Sequence, residues 1–151
     1  MLSGRPLIVA AMLASPAALD EAGPPFIPRT LRPLLRPVAR RLTQAFAKKY
    51  AMNLDDEAAH TRVMGAALDE LRKGLKAGGE FLLGPFTYAD IVMSTMLQGV
   101  SPVDDRFLEL GPATRLAWTR PALATEYADV LAWRDQVYAT RRPERQKQAA
   151  S

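Results

Sequence analysis

Phe81-Leu82-Leu83-Gly84-Pro85-Phe86-Thr87-Tyr88-Ala89-Asp90-Ile91-Val92-Met93-Ser94-Thr95-Met96-Leu97 is the stretch whose reading decides the fold. Gly84 and Pro85 punctuate the chain, and Thr87 then stands where a helix can start. Its hydroxyl can accept from the backbone N–H of Asp90, and the Asp90 carboxylate can accept in return from the N–H of Thr87. That is a capping box with Asp in place of the usual Glu or Gln. Phe86, just before the cap, is expected to pack on Ile91 as a hydrophobic staple. Asp90 also falls in the first turn, where the helix dipole favours negative charge. From Ile91 to Leu97 all residues except Ser94 and Thr95 are apolar, the pattern of a helix buried on most sides.

On both sides of this helix the helical period recurs and strand alternation is almost absent, which predicts an all-α fold. Upstream, residues 7–22 read as one short helix ending before Gly23. The prolines of Pro24-Pro25-Phe26-Ile27-Pro28 make a linker. The run Leu7-Ile8-Val9-Ala10-Ala11-Met12-Leu13-Ala14 follows Arg5. It reads as a buried helix, a remnant of one, or a signal segment of minimal length with Pro6 interrupting its flank. A second helix is expected from Thr30 or Arg32 to Tyr50, with an apolar stripe of Leu31, Leu34, Leu35, Val38, Leu42 and Phe46. Pro33 and Pro37 fit a first turn, and inside the helix either would kink it. A third helix should start at Asp55 or Asp56 as cap and end at Gly78-Gly79. Its stripe is Val63, Met64, Ala67, Leu68, Leu71 and Leu75.

The quoted stretch opens the fourth helix, Thr87 to about Gly99, closed by Ser101-Pro102. Gly111-Pro112 opens a fifth, to about Thr119. A sixth, from Tyr127 to about Thr140, carries Val130, Leu131, Trp133, Val137 and Tyr138 and stops before Pro143. The expected organisation is an N-terminal helix and linker over 1–28 and a bundle of about five to six helices over 29–143. A polar tail over 144–151 is expected to be disordered.

Composition narrows the chemistry. The chain has 151 residues, enough for one core. It has no cysteine, which excludes disulfides, thiolate metal sites and cysteine nucleophiles. His60 is the single histidine, so no metal site is expected. No apolar run reaches the ~20 residues of a membrane helix, so no membrane partner and a cytoplasmic location are expected. The net charge of +4 is a mild excess. Residues 29–49 hold Arg29, Arg32, Arg36, Arg40, Arg41, Lys48 and Lys49 and no acid. Arg29, Arg32, Arg36 and Arg40 share one helical face. That face is expected to be a solvated one opposite the leucine stripe, with nucleic acid not the expected partner.

Phe81-Leu82-Leu83-Gly84-Pro85-Phe86-Thr87-Tyr88-Ala89-Asp90-Ile91 resembles the glutathione transferase pattern of an apolar stretch, Gly, a short spacer, Ser or Thr, two residues, Asp, Ile. In that family the box starts the central helix of the all-helical C-terminal domain. Leu131-Ala132-Trp133-Arg134-Asp135-Gln136-Val137-Tyr138-Ala139-Thr140-Arg141-Arg142-Pro143 is similar to the family's late helix. Residues 98–120 look like a bacterial branch of it. The resemblance covers about residues 30–143 and implies a glutathione transferase C-terminal-like bundle.

Its partner half in the family is thioredoxin-like. That half holds glutathione and activates a thiol that is otherwise mostly protonated at neutral pH. The residues before the bundle show no βαβ alternation. Ile27-Pro28 superficially resembles the Val-Pro of that half, but a basic helical stretch follows it.

The resemblance therefore implies a transferase-like domain, inactive alone, with no catalytic residue, no metal and no cofactor. Glutathione would enter only with a thioredoxin-like half supplied. The family relatives join glutathione to hydrophobic electrophiles. The resemblance places a weak site for a hydrophobic co-substrate on the facing sides of the second and third helices, with Arg41, Tyr50, Met64 and Trp118 as candidates. Phe86, Thr87, Asp90 and Ile91 are structural. The alternative is a standalone interaction module that docks a partner or self-associates as a homodimer. Residues 7–14 can fold back over the apolar surface that a missing half would cover.

Overall fold

The computed structural model describes residues 4–24, 26–28 and 30–142. The expectations for Pro25, Arg29, Pro143 and the tail over 144–151 lie outside the described residues. The fold is all-α: α1 Gly4–Ala14, α2 Pro16–Glu21, α3 Arg32–Lys49, α4 Glu57–Gly78, α5 Tyr88–Met96, α6 Pro112–Trp118, α7 Pro121–Glu126 and α8 Ala128–Arg141. A 3-10 turn, Leu97–Gly99, extends α5. No strand occurs among the described residues.

Among the described residues six helices run from Arg32 onward, within the expected five to six, and two stand before it where one was expected; prolines account for α2 and α7, the two additions. Residues 7–22 form two helices because Ser15 caps α2, its hydroxyl accepting from the Ala18 N–H at 3.2 Å. Pro16 takes the first helical position, where its missing N–H costs nothing. Pro121 likewise starts α7, a helix beyond those the apolar periodicity predicts. The other boundaries fall close to expectation. Asp56 caps α4 by accepting from Ala59 N–H at 2.9 Å. Gly79 ends it at φ 83°, a conformation that favours glycine.

One core joins the first and last of the described helices. Leu7 of α1 packs with Met64, Leu68 and Leu71 of α4, Leu97 and Val100 after α5, Leu123 of α7, Tyr127, and Val130 of α8. A smaller cluster joins Val103 and Phe107 to Tyr138. In α4 the inward face is narrower than the expected stripe, since Val63 is exposed. The single Tyr127 O–H is shared between the Asp69 carboxylate at 2.9 Å and the Gly65 carbonyl at 3.1 Å, which holds α4 against the start of α8. Burial, reinforced by the Asp69 carboxylate, pushes the Tyr127 hydroxyl up to about 12.

α3 corrects the expectation for its two faces. The leucine stripe points outward: Leu34 is 75% exposed and Leu42 66%. The described arginines of the opposite face lie toward α1 and α2 and stay partly solvated, the Arg36 side chain 43% exposed. Arg36 donates to both Asp20 oxygens at 2.7 and 2.5 Å, and its guanidinium holds the Asp20 carboxyl below the usual range. Arg32 donates to the Ile27 and Asp20 carbonyls, and Arg40 to the Leu13 carbonyl. The helix packs chiefly on α1 and α2.

A further link crosses the chain at Glu21. Its carboxylate accepts from the N–H groups of Ala113 and Thr114 at 3.1 and 2.7 Å. These are donors at the start of α6, which lacks a side-chain cap of its own. A Cβ on Gly111 would stand 2.3 Å from that carboxylate, so the glycine is what lets it in. Glu21→Ala is expected to lower unfolding free energy by about 1 kcal/mol, as for a lost N-cap. Urea denaturation is the check, and an unchanged midpoint would contradict the cap.

Candidate functional site

The capping box is present and does more than start a helix. The Asp90 carboxylate accepts from Thr87 N–H at 2.8 Å and from the Thr87 hydroxyl at 3.0 Å. Its other oxygen accepts from Leu82 N–H at 2.9 Å, eight residues back. Asp90 is fully buried. Burial alone would raise its pKa, but the bonds from Leu82 and Thr87 outweigh it and hold the carboxyl below its ordinary value. The carboxylate thereby ties residues 82–87 to α5.

Phe86 lies edge-to-face against Phe81, ring centroids 5.3 Å apart, and beneath the Arg141 guanidinium. Ile91 stays 46% exposed, and Tyr88 is exposed as well. α5 is therefore buried along Asp90 and Ser94 and open along Tyr88, Ile91 and Thr95, not buried on most sides as its composition suggests. Thr95 spends its hydroxyl on the Ile91 carbonyl, which lets a polar residue sit in this open apolar face.

The open side of α5 forms one wall of a cavity of about 740 Å³. α1 supplies Arg5 and Ile8, α4 supplies Met64, and Trp118 stands at the end of α6. Tyr138 and Arg142 border it on the α8 side. The first turn of α1 comes close to the 3-10 turn here: a Cβ on Gly99 would lie 3.4 Å from the Ile8 side chain. The volume is that of sites for drug-sized molecules. A second apolar void, beside Leu68 and Leu71, has about 10 Å³ and is too small for a ligand.

The polar groups lining the cavity include two arginines, a tryptophan N–H and hydroxyl groups. The Gln98 amide is committed on both sides: it donates to the Tyr138 hydroxyl at 2.9 Å and accepts from Val103 N–H at 2.8 Å. Because the Tyr138 oxygen accepts from Gln98, its own O–H remains a donor. Trp118 Nε1 is buried without a hydrogen-bond partner among the described residues. Arg5 and Arg142 add positive charge, and no carboxylate lines the cavity among the described residues. Apolar walls with donors and cations suit an apolar molecule carrying an acceptor or an anionic end.

Of the four expected site residues, Met64 and Trp118 meet in this cavity. Arg41 and Tyr50 do not. Both are exposed on or just after α3, which packs chiefly on α1 and α2. Tyr50 stacks on Phe46 at 4.7 Å instead. Arg5, Gln98 and Tyr138 were not singled out as site residues by the sequence. The signal for Gln98 was there: it is the lone polar residue in Met96-Leu97-Gln98-Gly99-Val100. No group of three or more His, Asp or Glu residues that could hold a metal occurs among the described residues. No helix among them is long and apolar enough to cross a membrane. No protein-family model matches the chain, nor does any curated protein or solved structure.

Proposed function

We propose that the chain is a glutathione transferase-like helical domain that binds an apolar small molecule in the cavity beside α5 and does not transform it unaided. The observation that carries this reading is the meeting of Met64 and Trp118 in one cavity of about 740 Å³. It is supported by the capping box at Thr87 and Asp90, which starts the helix that walls the cavity, as the resemblance implies. Glutathione is not the ligand in this reading, because a thioredoxin-like half would have to supply the groups that hold it.

Calorimetric titration separates the possibilities. Dodecanoate is expected to bind saturably at one site, and reduced glutathione to give no saturable heat. Thr95→Phe, which places a ring on the cavity wall, is expected to weaken dodecanoate binding about tenfold or more. Saturable glutathione binding, or dodecanoate binding indifferent to Thr95→Phe, would overturn the assignment.

A second reading, an interaction module, is favoured by a separate observation. Leu34, Leu35, Val38, Leu42 and Phe46 are all exposed on α3. A contiguous apolar face of this kind marks an interaction surface.

A further inference from the structure

We propose that the outward face of α3 docks an amphipathic helix whose apolar stripe is flanked by acidic residues. This rests on the interaction-module reading and is independent of the cavity. Leu34, Leu35, Val38, Leu42 and Phe46 recur at spacings of three and four, so they form one ridge along the helix. A surface helix ordinarily buries such a stripe. α3 instead attaches to the domain through its opposite side, by the Arg36–Asp20 ion pair and by Arg32 donating to backbone carbonyls. The helix is thus anchored by polar bonds while its apolar ridge stays available.

Charge selects the occupant. Residues 30–50 contain no acid. Arg41 and Lys48 flank the ridge on one side at a spacing of two turns, both exposed. Neither has a carboxylate within ion-pair reach among the described residues. A second copy packed antiparallel about a two-fold axis would set this basic flank against its own image, which is repulsive. A helix with a leucine stripe and glutamates beside it meets the same surface with apolar contact and opposite charge.

The test uses two labelled synthetic helical peptides of about 20 residues with the same leucine stripe, one flanked by glutamate and one by lysine. Fluorescence anisotropy on the full chain is expected to show saturable binding of the glutamate peptide, weakening as salt rises. Leu42→Asp, on an exposed position, should weaken it about tenfold or more and leave the circular dichroism unchanged. Arg41→Glu with Lys48→Glu should reverse the preference toward the lysine peptide. Equal binding of the two peptides, or a dimer in sedimentation that Leu42→Asp dissolves, would overturn the acidic partner while leaving an interaction surface. Binding of neither peptide by a chain that sediments as a monomer would overturn the interaction-module reading itself.

Discussion

Asp90→Ala is expected to lower the unfolding free energy by about 3 kcal/mol, several times the cost of an ordinary surface change. The carboxylate is fully buried and accepts from Leu82 N–H, Thr87 N–H and the Thr87 hydroxyl. Alanine would leave those donors without their acceptor and would also remove a favourable charge from the first turn of α5. For a domain of this length the change corresponds to a fall in Tm of roughly 10 °C. The same carboxylate sets a pH dependence with a definite sign. Its folded pKa lies below the ordinary value because hydrogen bonds to the charged form outweigh burial. Its stabilisation is therefore complete above the unfolded Asp value of about 4 and is lost as pH falls through the lower folded value. Asp90→Ala should flatten that part of the acid limb. Equilibrium unfolding of both proteins between neutral pH and acid is the measurement, and parallel curves would contradict the role given to Asp90.

Leu7→Ala is expected to cost about 3 kcal/mol, within the range for emptying a leucine site in a packed core. Leu7 is 1% exposed and touches the cluster built from α4, α7 and α8. Its carbonyl also accepts from the Arg120 guanidinium at 2.7 Å, so α1 is tied to the start of α7 by a bond that the substitution leaves in place. The loss should therefore reflect packing alone. An exposed neighbour on the same segment, Arg5→Ala, serves as the control and should be near neutral for stability. If Leu7→Ala proved as mild as the control, α1 would not belong to the core.

What could be read in advance was local. Thr87 and Asp90 are three residues apart and bond to each other, so the start of α5 was visible in the chain. Asp56 before α4 and Gly79 after it are legible for the same reason. The third bond to Asp90, from Leu82, depends on how residues 82–87 turn back, and no spacing rule gives it. α3 shows a different limit. Periodicity reveals that its leucine and arginine faces differ, but not which one lies toward α1 and α2. Leucine inward is the ordinary result; here Asp20 and the backbone carbonyls of Asp20 and Ile27 accept from the arginines and invert it. The cavity was half legible. Met64 and Trp118 came from the resemblance, while Arg5 and Ile8 enter only because α1 folds back against Gly99, a contact between distant parts of the chain.

The cavity provides its own reporter. The chain has two tryptophans. Trp118 lines the cavity, and Trp133 donates its Nε1 to the Glu80 carbonyl elsewhere. Replacing Trp133 by phenylalanine leaves Trp118 as the emitter. Titrating that protein with dodecanoate should shift the Trp118 emission saturably, and the same titration on a Leu42→Asp background should be unchanged. An emission that does not respond to dodecanoate, or a response that disappears with Leu42→Asp, would contradict a ligand site beside α5.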